Sequence, residues 1–439
     1  MKKRFAVKSA LAGAALVLGI SAPAFAGGKT DMMQELKVLV ERQQSQLDKQ
    51  AAEISKLNEE LRALSGKTNA KVDKAEVEKM QYVTQDELKK QNLDKVVSSK
   101  LDKVKVSLYG QVDRAALYAD DGKNSETYFV DNKNSSTRMG IDAVAKVSDD
   151  FSVGSKIEYE IVTNSSNDVN PTANYNATAS SFSKRQLDVF LQSKAAGKLS
   201  LGHGSTVSDG TAEVDLSGTS VVAYSGVSDL AGGMLFVDGL TDTRSDVAIK
   251  KTFNNMDGLS RQDRVRYDSP AFAGFSLGGS AVQGDAYDGA LRYNQKFGGV
   301  TVAAAAAYAQ PGDTNEKADG AYDGSFSILH SSGINFTAAA GTTTWKDAKR
   351  EDANFMYGKL GYKASIFNVG TTNFSVDYGT FDDWAANEDE GSTYGLAVVQ
   401  DLKDYGTELF LGYRLYSLDR VKKDYDDISG VMAGARVKF

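Results

Sequence analysis

The carboxy-terminal stretch 428–439 constrains the fold more than any other part of this sequence. From Val431 onward every second residue is apolar, and the residues between them are Met432, Gly434, Arg436 and Lys438. A period of two gives a strand with one apolar face and one polar or small face. We expect this strand, which ends on the aromatic Phe439, to be the last strand of a closed membrane barrel, with lipid on its apolar face and water on the other.

Composition supports a barrel and argues against a helical membrane protein. Only 41% of the 439 residues are hydrophobic, whereas each membrane-spanning helix needs a run of about 20 apolar residues. Barrel strands need to be only half apolar. The chain has 41 Gly, 20 Tyr and 19 Phe but only 4 Pro, which favours many strands joined by tight turns. The predicted fold class is therefore all-β, with sixteen antiparallel transmembrane strands in a barrel.

The residue types that most enzymes use for catalysis or metal binding are scarce. The chain has no cysteine and only two histidines, His203 and His330, so disulfides and Cys-ligated metals are excluded. The Gly-x-Gly stretch 202–204 lies on a predicted strand, without the βαβ context of a nucleotide site. We therefore expect no enzyme activity, no catalytic residues, no cofactor and no metal site.

The first residues have the pattern of a secretory signal peptide over 1–26. Four cations lie within the first eight residues, a short apolar run covers 10–20, and Ala24-Phe25-Ala26 fits the small-x-small cleavage rule. The apolar run is too short for a transmembrane anchor. Removing the four cations changes the formal charge from −7 to −11. This acidic balance argues against a nucleic-acid partner.

A heptad repeat follows and predicts a coiled coil over 31–65. The first core set is Met33, Val40, Leu47, Ile54 and Leu61, and the second is Leu36, Gln43, Gln50, Leu57 and Leu64. Charged residues on the remaining sides favour self-association over packing against a globular core. The two glutamines lower stability and help to set the register. The heptads fit two-stranded and three-stranded assemblies alike.

The segment 66–103 is rich in lysine and has a weaker helical period, so we interpret it as a part-helical spacer with solvated charges. From Val104 onward the period is two. This pattern predicts sixteen strands at 104–119, 135–147, 151–164, 182–193, 198–205, 261–269, 275–284, 287–297, 300–309, 321–330, 334–345, 354–364, 372–382, 392–402, 407–420 and 428–439. Short turns alternate with longer loops, as in outer-membrane barrels. The longest connection is about 206–260.

Short motifs within 104–439 match those of a known family in order and spacing. They are 108–111 (LYGQ), 136–140 (STRMG), 184–186 (KRQ), 199–203 (LSLGH), 264–275 (RVRYDSPAFAGF) and the terminal Phe439. On these motifs the chain resembles the general trimeric porins of Gram-negative outer membranes. It departs from them at His203, where the family often has Arg, and in the amino-terminal coiled coil.

The resemblance implies a porin barrel over 104–439 whose constriction loop, within about 206–260, folds inward and narrows the lumen. It also implies that cations on the second, fourth and sixth strands face acids on that loop. The transverse field between them then selects solutes by charge. As the acidic partners we predict Asp229, Asp238 and Asp242, although the loop also carries Asp209, Glu213 and Asp215.

Strand alternation supports part of this arrangement without the resemblance. Where the apolar neighbours face lipid, a period of two turns Arg138, Arg264, Arg266 and Lys156 toward the lumen. An arginine on the lipid face at mid-depth costs about 2–4 kcal/mol. Arg185 is different, because simple alternation with the apolar residues after it places it outside. Only the resemblance, or a β-bulge, brings it into the pore.

The leading hypothesis is a passive diffusion channel for small hydrophilic solutes and ions. It implies a homotrimer in outer-membrane lipid, with the amino-terminal segment in the periplasm. Two alternatives are kept. One is a structural tether, in which the barrel is an anchor and 27–103 reaches the cell wall and contacts peptidoglycan. The other is a porin selective for anions such as phosphate.

Overall fold

In the computed structural model the described residues are 96–97, 103–173 and 181–439, and most of them form one closed antiparallel sheet. The predicted signal peptide 1–26, the predicted coiled coil 31–65 and most of the predicted spacer 66–103 lie outside the described residues. Among the residues that are described, no helix has the length and apolarity needed to cross a membrane.

Sixteen long strands, β1 to β16, form the barrel wall. They are Val104–Asp120, Arg138–Lys146, Phe151–Val162, Ser181–Ser193, Gly197–Ser205, Arg261–Asp268, Phe275–Val282, Ala286–Phe297, Val300–Gln310, Ala318–His330, Ile334–Trp345, Ala353–Phe367, Gly370–Asp382, Asp389–Leu402, Thr407–Arg420 and Ile428–Lys438. The last strand pairs with the first, from Gln111 opposite Lys438 to Asp120 opposite Ser429, and this closes the sheet. The predicted sixteen-stranded antiparallel barrel is confirmed.

The first strand changes partners halfway along its length. Its first half pairs with β2, and its second half pairs with a short strand, Ser125–Asp131, in the connection to β2. The last strand pairs with β1 only from Gln111 onward. Before that point Val96–Val97 pairs with β1, at Ser107 and Val106. A free strand edge offers unpaired backbone groups and valine favours extended backbone, so Val96–Val97 is suited to this position.

Side chains alternate between the two faces of the wall as the sequence predicts. On β15, Leu409 and Leu411 are exposed on the outer face. Phe410, which lies between them, and Arg414 are buried on the inner face. The carboxy-terminal Phe439 is exposed on the outer face, where a Cβ at Gly110 would lie 2.6 Å from its ring. An apolar outer face with aromatic residues near the strand ends suits contact with lipid.

The inner face is not wet all the way round, and here the sequence prediction is wrong. Met432, assigned to the watery face of the last strand, is fully buried. Apolar inner side chains of β12 to β16 and β1 pack against the connection 206–260, which we call the inner loop. The loop brings its own apolar residues, including Leu230, Phe236 and Phe253. Each such buried side chain stabilises the fold by roughly 1.5–3 kcal/mol, so this side of the lumen is a packed core.

Inner-facing glycines let the loop lie directly against the wall. A Cβ at Gly412 of β15 would lie 2.4 Å from Cγ2 of Val222, and one at Gly430 of β16 would lie 2.7 Å from Cδ2 of Leu230. Real Cβ atoms do not approach this closely, so any larger residue would push the loop away. The two glycines therefore place the inner loop on one side of the lumen.

The inner loop also reaches the mouth of the barrel that carries the longer connections. It forms a hairpin of two strands, Leu235–Asp238 and Thr243–Ala248, followed by one helical turn, Ile249–Thr252. The connection between β15 and β16 adds to this hairpin: the Asp426 amide donates to the Val237 carbonyl over 2.9 Å, and the Gly239 amide donates to the Asp424 carbonyl over 2.7 Å. These bonds fix the hairpin at the mouth.

Candidate functional site

The inner loop leaves a polar cavity of about 510 Å³ between itself and the opposite wall. Four cations line it, namely Lys133, Arg138, Arg185 and Arg261. Four loop acids line it as well, namely Asp209, Glu213, Asp229 and Asp257. Because the cations come from the side of β2, β4 and β6 and the acids from the loop, opposite charges line the two sides of this cavity.

Hydroxyl groups on the inner wall hold the loop backbone in place. The amide of Val214 donates to Oγ of Ser325 over 2.9 Å, and the amide of Leu216 donates to Oγ of Ser327 over 2.9 Å. Both serines face inward on β10 by strand alternation. A buried amide needs an acceptor, and these hydroxyls supply one where no neighbouring strand is present.

Arg185 faces the lumen because the strand register changes beside it. Gln186 pairs with Glu158 and Lys184 pairs with Tyr159, so Arg185 is an extra residue in β4. Such a bulge reverses the alternation, and Leu187 accordingly stays on the outer face. The Arg185 guanidinium binds Glu158 over 2.8 Å and Glu160 over 2.9 Å.

Among the four cavity cations, Arg138 differs in its side-chain partner, which is a hydroxyl rather than a carboxylate. Its guanidinium donates to Oγ of Ser135 over 3.2 Å. In the described part of the chain it forms no ion pair, whereas Arg185 has two, Lys133 pairs with Glu160 and Arg261 pairs with Asp209. Its positive charge is therefore left for the contents of the cavity.

Two of the loop acids, Glu213 and Asp257, form no ion pair among the described residues. The Glu213 carboxylate accepts from Nδ2 of Asn255 over 3.0 Å and has no ion pair among the described residues. Burial, and then the neighbouring Asp257, raise the pKa of Glu213 well above its usual value. Asp257 accepts the amides of Gly210 and Ala212, while burial and the nearby Asp209 raise its pKa to about 6.

Asp229, one of the predicted acidic residues, does line the cavity. Its carboxylate accepts a short hydrogen bond from the hydroxyl of Tyr224. Burial raises the pKa of Asp229. Ser166, from the connection between β3 and β4, donates to the Asp229 backbone carbonyl over 2.6 Å, so this part of the loop is braced from two sides.

Three predicted cations face inward but do not line the cavity. Arg264 is buried, pairs with Asp188 over 2.8 Å and donates to the carbonyls of Gly202 and Ser205. Arg266 pairs with Asp268 over 2.7 Å and donates to the carbonyl of Thr206 over 2.7 Å. Lys156 lies 5.2 Å from the centre of the Tyr109 ring. Arg264 thus binds β4 and β5, and Arg266 binds the first residue of the inner loop.

The structure places Asp238 and Asp242 away from the cavity, contrary to the prediction that they face cations across the lumen. Asp238 pairs with Lys423 over 2.8 Å, and Asp242, which is 78% exposed, pairs with Lys123 over 2.8 Å. Both belong to the hairpin at the mouth. The sequence pattern did not reveal this hairpin, which carries Asp238 and Asp242 away from the cavity.

Sequence reasoning missed several cavity residues, namely Lys133, Arg261, Tyr224 and Asp257. Arg261 begins β6, and its alternation is opposite to that of Arg264 and Arg266, so the strand period offers no signal for it. Asp209 and Glu213 were recognised as loop acids without an assigned position. Their approach to the cavity depends on the path of the loop, which the sequence pattern does not describe.

Residues 91–420 match the family model described as Gram-negative porin. A search of curated protein sequences finds no match.

Solved structures with the same fold were also found. One is OmpTdeltaL8, a loop L8 deletion mutant of OmpT, an outer membrane protein of Vibrio cholerae; it has a TM-score of 0.52 and 14% identity, and the match covers 77% of this chain and 100% of that one. Another is the anion-selective porin from Comamonas acidovorans, with a TM-score of 0.52 and 17% identity, covering 76% of this chain and 100% of that one. At such identities the likeness concerns the fold alone.

Proposed function

Because the chain belongs to the Gram-negative porin family, we propose that small hydrophilic solutes cross the outer membrane passively through the cavity beside the inner loop. Membership rests on the match over 91–420, three quarters of the chain. The protein is thus an outer-membrane porin.

The arrangement of unpaired charges supports charge-dependent passage. Arg138 stands on the wall without an ion pair, while Glu213 and Asp257 stand on the loop without one, each within the described residues. In a water-filled bore with low-dielectric walls such charges produce a strong transverse field. A solute with both a negative and a positive group is then turned so that each group faces its opposite charge.

We propose a homotrimer as the assembled state. Lys184, Asp263 and His203 all lie on the outer side of β4 to β6; Lys184 pairs with Asp263 over 3.0 Å, and His203 lies 3.5 Å from the same carboxylate. Charged groups on a lipid-facing wall are destabilising. A neighbouring subunit that covers this part of the wall removes that cost.

We also place the segment ahead of Val96 in the periplasm, because Val96–Val97 joins β1 at the end with the short turns.

Reversal potentials under a salt gradient in planar bilayers test the pore assignment. Arg138→Ala is expected to shift permeability toward cations and, at a pH above the raised pKa of Glu213, Glu213→Gln toward anions. Each shift is expected to be about fivefold in the permeability ratio, since one unit charge at about 4 Å in water is worth about 1 kcal/mol. The wild-type protein is expected to insert in conductance steps of three. The matched controls Lys123→Ala and Asp242→Asn change charges at the mouth and are expected to leave the ratio near wild type. Equal ratios in all five proteins would refute the assignment.

The charge of the loop acids is expected to change at a higher pH than that of ordinary carboxylates. Because the pKa of Asp257 is raised to about 6, lowering the pH through this value adds a proton, and cation permeability is expected to fall. Reversal potentials measured from about pH 4 to pH 8 check this in wild type and in Asp257→Asn. A titration near 6 that persists unchanged in Asp257→Asn would assign the effect to other groups.

A further inference from the structure

Lys359 is a fully buried lysine on the inner face of β12, outside the cavity lining. We propose that Lys359 is a positioning residue that holds the loop carboxylates in the channel and thereby sets its charge selectivity. This inference rests on the proposed function of the cavity. It concerns a residue that no permeating solute touches.

The lysine contacts both sides of one bend in the inner loop. Its ammonium group donates to Oδ2 of Asp215 over 2.5 Å, to Oγ1 of Thr219 over 3.2 Å and to the carbonyl of Ala223 over 2.7 Å. An ammonium group has three donors and no acceptor, so all three are used on the loop. Its Nζ thus joins the start, the middle and the end of the bend 215–223.

Residues on both sides of this bend line the cavity. Glu213 lies two positions before Asp215, and Tyr224 directly follows Ala223. The Tyr224 hydroxyl binds the carboxylate of Asp229, so the second side of the bend carries that acid with it. Movement of the bend would therefore displace both Glu213 and Asp229 relative to Arg138.

The bend has little other charged support. Asp215 is buried and accepts the Ser217 amide over 2.7 Å, and Thr337 on β11 lies 3.4 Å away. Burial alone would raise the pKa of Asp215, but the adjacent Lys359 ammonium holds it below its usual value. Without Lys359, Asp215 is a buried carboxylate with no cation beside it, so it takes up a proton or moves toward water, and on either course the three bonds that hold the bend are lost.

Lys359→Met tests the inference, with reversal potential and open-channel current noise as readouts. We expect the cation-to-anion permeability ratio to change by up to about fivefold, the effect of moving roughly one charge out of the cavity, and the noise to rise because the loop moves. The double variant Lys359→Met/Asp215→Leu removes both buried charges. It tests the same loss of anchoring if the single variant does not fold.

A second buried ion pair provides the matched control. Arg414 binds Asp377 over 2.7 Å, and its hydrogen bonds go to Asp377 and Thr393, both on the wall. Arg414→Met/Asp377→Leu therefore removes an equally buried pair without touching the loop, and is expected to keep wild-type selectivity and noise. The inference is overturned if the Lys359 variants match this control. Glu213→Gln in the same bilayers tests the proposed function separately, because current noise reports loop anchoring whatever that variant shows.

Discussion

Asp377→Leu is expected to destabilise the barrel by about 3–5 kcal/mol, because it leaves the Arg414 charge buried without a partner. The two side chains form a bidentate pair, with distances of 2.7 and 3.1 Å, and are 2% and 0% exposed. Arg414 lies on β15 and Asp377 on β13, so the pair spans the intervening strand inside the lumen. Removing one partner costs more than the pair itself contributes, since desolvation of the remaining guanidinium is no longer compensated.

The midpoint of urea unfolding in lipid vesicles, followed by the fluorescence of Trp345 and Trp384, measures this effect. Two controls separate a buried ion pair from a loss of charge in general. Asp149→Asn breaks a solvent-exposed pair with Lys146 and is expected to leave the midpoint almost unchanged. Arg414→Met/Asp377→Leu removes both buried charges and is expected to recover most of the loss. A double variant as unstable as Asp377→Leu would contradict the argument.

Gly412→Leu is expected to narrow the channel. A Cβ at this position would lie only 2.4 Å from Cγ2 of Val222 on the inner loop. The wall is held by hydrogen bonds to β14 and β16, so the loop yields rather than the strand. Since the loop lies between β15 and the cavity, moving it off the wall moves it into the open part of the lumen. Overpacking of this kind costs about 1–3 kcal/mol.

Single-channel conductance in planar bilayers is the measurement, and we expect it to fall clearly below wild type. Gly358→Leu is the matched control, because a Cβ at Gly358 on β12 meets no atom within 4 Å; its conductance is expected to be unchanged. Gly412→Leu/Val222→Ala removes the clashing atoms and is expected to restore much of the current. Unaltered conductance in Gly412→Leu would show that the loop is not pressed against β15.

Strand alternation alone was sufficient to predict the wall. The ends of the inner loop at 206 and 260 agree with the structure, since β5 ends at Ser205 and β6 begins at Arg261. Alternation works here because each wall strand has one face toward lipid and one toward the lumen, so the side to which a residue points depends on its own position in the strand. Arg185 shows the limit, because a single extra residue reverses that rule.

The positions of charges within the site could be predicted only in part. Arg138 was placed on the lumen face from its strand period, and it lines the cavity. Arg264 has the same inward direction, yet it is bound by Asp188 and by backbone carbonyls of β5. Direction follows from local sequence, whereas availability depends on partners supplied by other strands and loops.

By itself, the sequence determined a sixteen-stranded barrel, its inside and outside, and a long connection between β5 and β6. Only the tertiary structure decided that this connection packs as a core against β12 to β16, that Asp238 and Asp242 go to the mouth, and that Lys359 holds the bend. Lys359 and Asp215 are 144 positions apart. Strand faces follow from a local period of two, whereas such pairings follow from how the closed sheet brings distant segments together, which no local period encodes.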